Sequence, residues 1–232
     1  MSSLCIVWPS HAPARRPAII RAFLFDLDGT LVDTERLWVQ ATAIVIRQHG
    51  HDISHAAALE LAHGKGWGDI WADILRDFPN VKDDMAAFEH EMRVEFRRLQ
   101  TQTDVRIPSS IALLRRLAEN YPVAIVSGSP RSDIAYALRL ADIEDSVHLV
   151  LGSEDYPRGK PDPAPFAMAA EKLGIRPSAC LVFEDSCAGV LSSKAAGMTV
   201  VALRRDGAPP QDFSQADEVL TDLADFDLER YT

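Results

Sequence analysis

The sequence has no uninterrupted apolar run near the ~18 residues that a membrane-crossing helix requires. That excludes an integral helical membrane protein. It also has no block of lysine and arginine: 24 basic side chains stand against 34 acidic ones, for a formal net charge of −10 over 232 residues. Sequence-independent nucleic-acid binding rests on clustered Lys/Arg, so neither a nucleic-acid nor a membrane partner is expected. Cysteine is scarce, with only Cys5, Cys180 and Cys187. An odd count in a long chain makes no disulfide framework, and a reducing, cytoplasmic setting is expected. Internal repeats and low-complexity tracts are absent too. What is present is an apolar fraction of 47%, that of an ordinary globular chain and not of a disordered one. The length exceeds one average domain of roughly 150 residues and falls short of two, which suits either one domain carrying a large insertion or a large and a small domain.

Residues 1–20 contain three prolines and no long apolar segment. A secretory signal needs an apolar core of about 7–15 residues behind a positive start; Leu4–Trp8 is too short, and Arg15 and Arg16 follow it. A mobile tail is expected. The first strong element is Ala22–Phe25, an apolar run with the length and flanks of a buried strand. From Glu35 to about Leu99 the pattern turns helical, with segments 35–48, 54–63, 67–77 and 83–99 separated by Gly50, by Gly64, Gly66 and Gly68, and by Pro79. In the last of these, Met85, Phe88, Met92 and Phe96 recur at three- and four-residue steps, the stripe of a helix facing a core.

Beyond Pro108 the period changes again. Helices at 109–120, 131–141, 163–173 and 187–196 precede the apolar runs Val123–Val126, Val147–Leu151, Leu181–Phe183 and Thr199–Leu203. Strands alternating with helices mean βαβ units and a parallel sheet, hence an α/β fold. A loop at Asp206–Gln215 leads to a short terminal strand and helix. The expected organisation is a tail at 1–20, an α/β core from 21–34 and 105–232, and an all-helical insert at 35–104.

Ligands of open α/β sheets bind outside the carboxyl ends of the strands. Those ends carry Asp26 and Asp28 after the first run, Ser127-Gly128-Ser129 after the second, Lys160 beyond the third, and Glu184-Asp185-Ser186 after the fourth. Four crowded carboxylates raise one another's pKa. A hard divalent cation offsets this, and oxygen-only donors suit Mg²⁺. A metal, a lysine and a further carboxylate are equipped for phosphoryl transfer, in which positioning and charge neutralisation supply most of the catalysis.

Phe25-Asp-Leu-Asp-Gly-Thr-Leu-Val-Asp-Thr-Glu35, Val126-Ser-Gly-Ser129, Gly159-Lys-Pro-Asp-Pro163 and Phe183-Glu-Asp-Ser186 resemble the four ordered motifs of the haloacid dehalogenase superfamily. The resemblance runs from about residue 22 to 220, and the insert matches that family's small helical cap in position and character. It implies a Rossmann-like core and a phosphatase of the sugar-phosphate phosphatase and β-phosphoglucomutase subgroup, acting on a small phosphorylated metabolite. It implies Asp26 as nucleophile, Asp28 as acid and then base, Ser127 as a hydrogen-bond donor to the phosphoryl group, and Lys160 as the neutralising cation. Asp26, the Asp28 carbonyl and Asp185 would hold Mg²⁺, with Glu184 as a further ligand or a group behind the ligands. Thr30 would buttress the Asp28 loop at the substrate end.

Dehalogenating members lack the second aspartate of the first motif, so Asp28 favours phosphotransfer. Mutases of the subgroup place a histidine where this chain has Leu37-Trp38, and hydrolysis is favoured over a mutase reaction. A catalytically silent binding protein is disfavoured because Asp26, Asp28, Lys160 and Asp185 are all present. In the glycine-rich insert loop, His63, Lys65 and Trp67 are candidates for substrate recognition, since three glycines permit close backbone approach. Gly128, Ser129 and Arg131 are further candidates. Cys187 is expected to pack at a helix start. The insert would close over the site as mobile lids do. A monomer is favoured.

Overall fold

A computed structural model describes residues 19–62, 67–79, 81, 84–206 and 210–231. Within them one sheet is built from β1 (Ala22–Phe25), β2 (Val123–Val126), β3 (Leu149–Leu151), β4 (Cys180–Glu184), β5 (Thr199–Leu203) and β6 (Glu218–Leu220). The order is β3-β2-β1-β4-β5-β6 and every pairing is parallel. β1, β2 and β4 are buried along their whole length. Strands covered on both faces need apolar side chains at successive positions, which is why they stand in the sequence as unbroken apolar runs. β1 lies between β2 and β4, so the strand order reverses beside it and opens a crevice there.

The flanking helices are α5 (Pro108–Ala118), α6 (Arg131–Ala141), α7 (Ala164–Leu173) and α8 (Cys187–Ala195), and the insert contributes α1 (Glu35–Gln48), α2 (His55–Ala62), α3 (Trp67–Asp77) and α4 (Met85–Gln102). On one face of the sheet Phe23, Phe25, Phe183 and Phe226 pack with apolar residues of α5 and α6. On the other, Leu24, Val126 and Val182 meet Phe166 and Ala169 of α7. The insert has an apolar cluster of its own, including Val39, Ile46, Ile74, Phe88 and Met92. Trp38 touches both this cluster and that of the sheet, and stacks on Phe96 with ring centroids 4.2 Å apart.

The two connections to the insert lie side by side. Asp33 donates its N–H to the Val105 carbonyl at 2.7 Å and Ile107 to Leu31 at 3.0 Å, with Val32 and Arg106 bridged antiparallel. Some limits differ from the sequence expectation. β3 begins at Leu149 because a 3-10 turn at Glu144–Ser146 precedes it. α4 starts after Asp84, whose carboxylate accepts from Ala87 N–H, and continues to Gln102. The expected terminal helix is replaced by two 3-10 turns, Leu223–Asp225 and Leu228–Arg230. Asp222 and Asp227 each accept the N–H two residues on, a local bond that competes with helix. Ile20, placed in the tail by the sequence, is buried and donates its N–H to Tyr231 at 2.9 Å.

Phe23 stacks on Phe183 and meets Tyr121 and Phe226 edge-on. Phe23→Ala is expected to cost about 3–5 kcal/mol through lost transfer energy and the cavity left behind. The urea unfolding midpoint reads this directly.

Candidate active site

The centre of the site is the Lys160 ammonium. It lies 2.5 Å from Asp26 Oδ1, 2.6 Å from Glu184 Oε1 and 2.9 Å from the Val126 carbonyl, so it donates to the ends of β1, β4 and β2 together. The Phe166 ring of α7 lies 5.0 Å beneath it. Burial works against the charged ammonium, but Asp26 and Glu184 more than offset it, and Lys160 is held above its ordinary pKa. Burial pushes Asp26 well up; Lys160 pulls it back, while Glu184 and Asp28 push it further.

Asp28 faces a different set of partners. Its carboxylate accepts from Thr34 Oγ1 at 2.5 Å, Ser129 Oγ at 2.8 Å and Ser127 Oγ at 3.2 Å. The Ser127 hydroxyl in turn accepts the Ser129 N–H at 3.0 Å, and the Ser127 carbonyl takes the buried Tyr156 hydroxyl at 2.7 Å. Two aspartates two residues apart are thereby separated chemically: one lies on an ammonium, the other among hydroxyls.

Asp185 comes against the turn after Asp28. Gly29 has φ +86°, and a Cβ there would stand 1.9 Å from Asp185 Oδ2. Only glycine permits both the backbone conformation and this approach. Thr30 is fully buried and donates to Asp185 Oδ1 at 3.3 Å; it braces a carboxylate and presents no surface to a substrate. Burial and the neighbouring Asp26, Glu184 and Glu35 raise the Asp185 pKa well above normal, with Lys160 opposing. Glu184, expected as a metal ligand or a group behind one, has both oxygens engaged. One takes Lys160, the other the Ser186 N–H and hydroxyl at 2.9 and 2.8 Å.

Among the described residues no three His, Cys, Asp or Glu side chains group to hold a metal. The donor set implied by the resemblance needs only two, Asp26 and Asp185, with the Asp28 carbonyl. These oxygens fit Mg²⁺: Asp26 raises the proton affinity of the buried Asp185 carboxyl, and a hard dication relieves that repulsion.

Of the other sequence candidates, Gly128 and Ser129 border a cavity next to Asp28. Arg131 turns outward, paired with Asp155 through Nε at 2.7 Å and through its Nη2. His63 and Lys65 lie outside the described residues; Trp67 opens α3, and its side chain lies outside the described set as well. Cys187 begins α8, half-buried, its N–H on Gln211 Oε1 at 3.0 Å. Sequence reasoning missed Glu35, whose pKa burial and then Asp28, Asp33 and Glu184 raise to about 7, with Arg205 opposing. It stands within the first motif itself, and its helix-start position disguised it. Arg93 and Asp133, also missed, meet only across the fold, where no local pattern announces them.

A six-stranded parallel sheet with an aspartate–lysine–carboxylate cluster at its switch point defines an α/β enzyme of the strand-end type. The chain belongs to the haloacid dehalogenase-like hydrolase family, whose model matches residues 20–197. It is 34% identical over 210 residues to hexitol phosphatase A of Escherichia coli, the alignment covering 88% of this chain and 91% of that protein. It is 29% identical over 204 residues to validoxylamine A 7'-phosphate phosphatase of Streptomyces hygroscopicus, covering 87% and 93%. Among solved structures, a hydrolase of the same family from Deinococcus radiodurans with bound phosphate and sodium superposes with a TM-score of 0.71 at 31% identity, covering 89% and 93%. No helix among the described residues is long and apolar enough to cross a membrane.

Glu35 sets a pH dependence. Its folded pKa of about 7 lies above the ordinary 4.5. Its proton therefore stabilises the fold below about 4.5, and that contribution is lost as pH rises towards 7. In EDTA, Glu35→Gln is expected to lose less stability than the wild type across this window, as read by urea midpoints against pH.

Proposed function

We propose that the protein is a Mg²⁺-dependent phosphomonoester hydrolase acting on a small phosphorylated metabolite, a sugar or polyol phosphate, with residues 35–104 as a cap over the site. The observation that carries this reading is the chemical separation of the two aspartates. Asp26 is fixed by Lys160 with its carboxylate at the sheet edge, while Asp28 is held by hydroxyl groups beside it. The named phosphatases among the relatives support it.

Asp26 attacks phosphorus, forming an aspartyl-phosphate as the bond to the leaving oxygen breaks. Asp28 gives its proton to that oxygen, then takes one from the water that attacks the same phosphorus and frees Asp26. Lys160 offsets negative charge on Asp26 and on the phosphoryl oxygens, and Ser127 donates a hydrogen bond to that group. Asp26, Asp185 and the Asp28 carbonyl would hold Mg²⁺, which supplies further neutralisation of phosphate charge. Hydrolysis is favoured over a mutase reaction because Leu37 is buried and Trp38 is stacked on Phe96, where mutases of the resembled subgroup place a histidine.

Asp26→Asn is expected to lower kcat for p-nitrophenyl phosphate on the order of a thousandfold or more while leaving the circular dichroism spectrum unchanged. Near-normal turnover would exclude the mechanism. EDTA is expected to stop wild-type phosphate release and Mg²⁺ to restore it, with Ca²⁺ a poor substitute because its shell is larger and looser. Activity that survives exhaustive chelation would remove the metal from the scheme.

A further inference from the structure

Between the insert and the sheet lies a cavity of about 300 Å³. Trp38, Glu89 and Arg93 line it from the insert, Ser129 and Asp133 from the loop and helix that follow β2. It adjoins the site directly, since the Ser129 hydroxyl that borders it donates to Asp28 at 2.8 Å. A phosphate ester whose leaving oxygen met Asp28 would have this cavity beside it.

The charges around this cavity are already paired. The Arg93 guanidinium donates to Glu89 Oε1 through Nε at 3.0 Å and Nη2 at 2.8 Å, and to Asp133 Oδ2 through Nη1 at 3.1 Å. The other oxygen of Asp133 takes Arg97 Nη2. Arg97 also gives Nη1 to Gln100 at 3.4 Å and lies over the Tyr136 ring. Two guanidinium and two carboxylate groups thus sum to zero, and all four are partly buried, with side-chain exposures from 19% to 42%.

An incoming carboxylate or second phosphate would meet Arg93 only by competing with Glu89 and Asp133, both negative. Hydroxyl groups meet no such opposition. Carboxylate oxygens retain lone pairs beyond those spent on Arg93 and Arg97, and accept from O–H donors at no cost in net charge. Trp38, stacked flat on Phe96, adds an aromatic wall against which C–H groups pack.

Resting on the phosphomonoesterase reading, we propose that this cavity selects phosphomonoesters whose leaving group is uncharged and polyhydroxylated. It discriminates against those that carry a second anionic group. The paired set of Glu89, Arg93, Asp133 and Arg97 sets the preference.

The test uses the full-length protein with Mg²⁺ and two probes that share a six-carbon chain, glucitol 6-phosphate and gluconate 6-phosphate. They differ at one terminus, a hydroxymethyl in the first and a carboxylate in the second. The wild type is expected to favour the glucitol ester by about tenfold or more in kcat/KM, the scale on which like-charge juxtaposition rejects a wrong partner. Glu89→Gln leaves Arg93 with one anionic partner and should shrink that ratio several-fold, on the order of the effect of one charge at such a distance, chiefly through KM for the gluconate ester. Asp133→Asn is the second variant and should move the ratio in the same direction.

Equal use of the two esters, a preference for the gluconate ester, or a ratio unmoved in both variants would overturn the inference. So would release from p-nitrophenyl phosphate with none from either six-carbon ester. Those outcomes leave the hydrolase reading standing. Absence of release from all three esters would overturn that reading, and the inference with it.

Discussion

One buried ammonium organises the rest. Lys160 lies far along the chain from Asp26, yet its three acceptors sit at the ends of β1, β2 and β4. Those strands are adjacent in the sheet. Neighbouring strands about 4.8 Å apart bring three acceptors around a single cation, which no contiguous segment could do. A lysine taken out of water is tolerable only when its charge is matched and its protons are bonded. The strand order is therefore a requirement of the site, and the lysine in turn offsets part of the repulsion between two carboxylates at the sheet edge. Removing the lysine would leave both carboxylates buried without a cation.

Close backbone approach fixes what the lysine does not. The turn at Gly29 lets the chain come against Asp185, and Gly189 does the same for Glu184, where a Cβ would stand 1.7 Å from Oε1. Ser186 joins these constraints to the helix that follows. Its hydroxyl donates to Glu184 at 2.8 Å and accepts the Gly189 N–H at 3.0 Å, so one side chain both starts α8 and holds the anchor of Lys160. The insert is tied in nearby: the ladder between Leu31–Asp33 and Val105–Ile107 begins within a few residues of Asp28. A movement of the insert about that ladder would be felt first by Thr34, which holds the Asp28 carboxylate.

The sheet, its helices and the aspartates and lysine at its edge were legible in the sequence because their signals are local. Buried parallel strands are unbroken apolar runs, and the aspartates follow them within one to three residues; Lys160 stands nine residues beyond Leu151 and was legible through its Gly-Lys-Pro-Asp-Pro motif. The family motifs extended that reading to roles. What stayed hidden depends on side-chain direction or on distant packing. Glu184 is adjacent to Asp185 in sequence, yet its oxygens turn to Lys160 and Ser186. Thr30 sits in the first motif but is sealed inside. Glu35 acquires its high proton affinity from burial and from Asp28, Asp33 and the distant Glu184, and Arg93 and Asp133 are 40 residues apart. The terminal helix was misjudged because Asp222 and Asp227 bond locally, a choice that apolar periodicity does not reveal.

The charge balance connects these observations. With a net charge of −10, the field of the whole protein opposes a phosphate dianion at long range, and only charge fixed at short range can capture it. Lys160 is such a charge, placed where salt and water screen it least. Arg93 and Arg97 could have extended that attraction into the neighbouring cavity, but Glu89 and Asp133 cancel them. Among the described residues, the charges at the cavity wall are thus paired, and its carboxylates and the Ser129 hydroxyl offer hydrogen-bonding groups. On the proposed reading, an acidic protein built in this way would bind the phosphate by charge and tell its substrates apart by hydroxyl groups and shape. On that reading a second anionic group on the substrate would meet the repulsion of the acidic surface, while Arg93 in the cavity wall is already paired with Glu89 and Asp133.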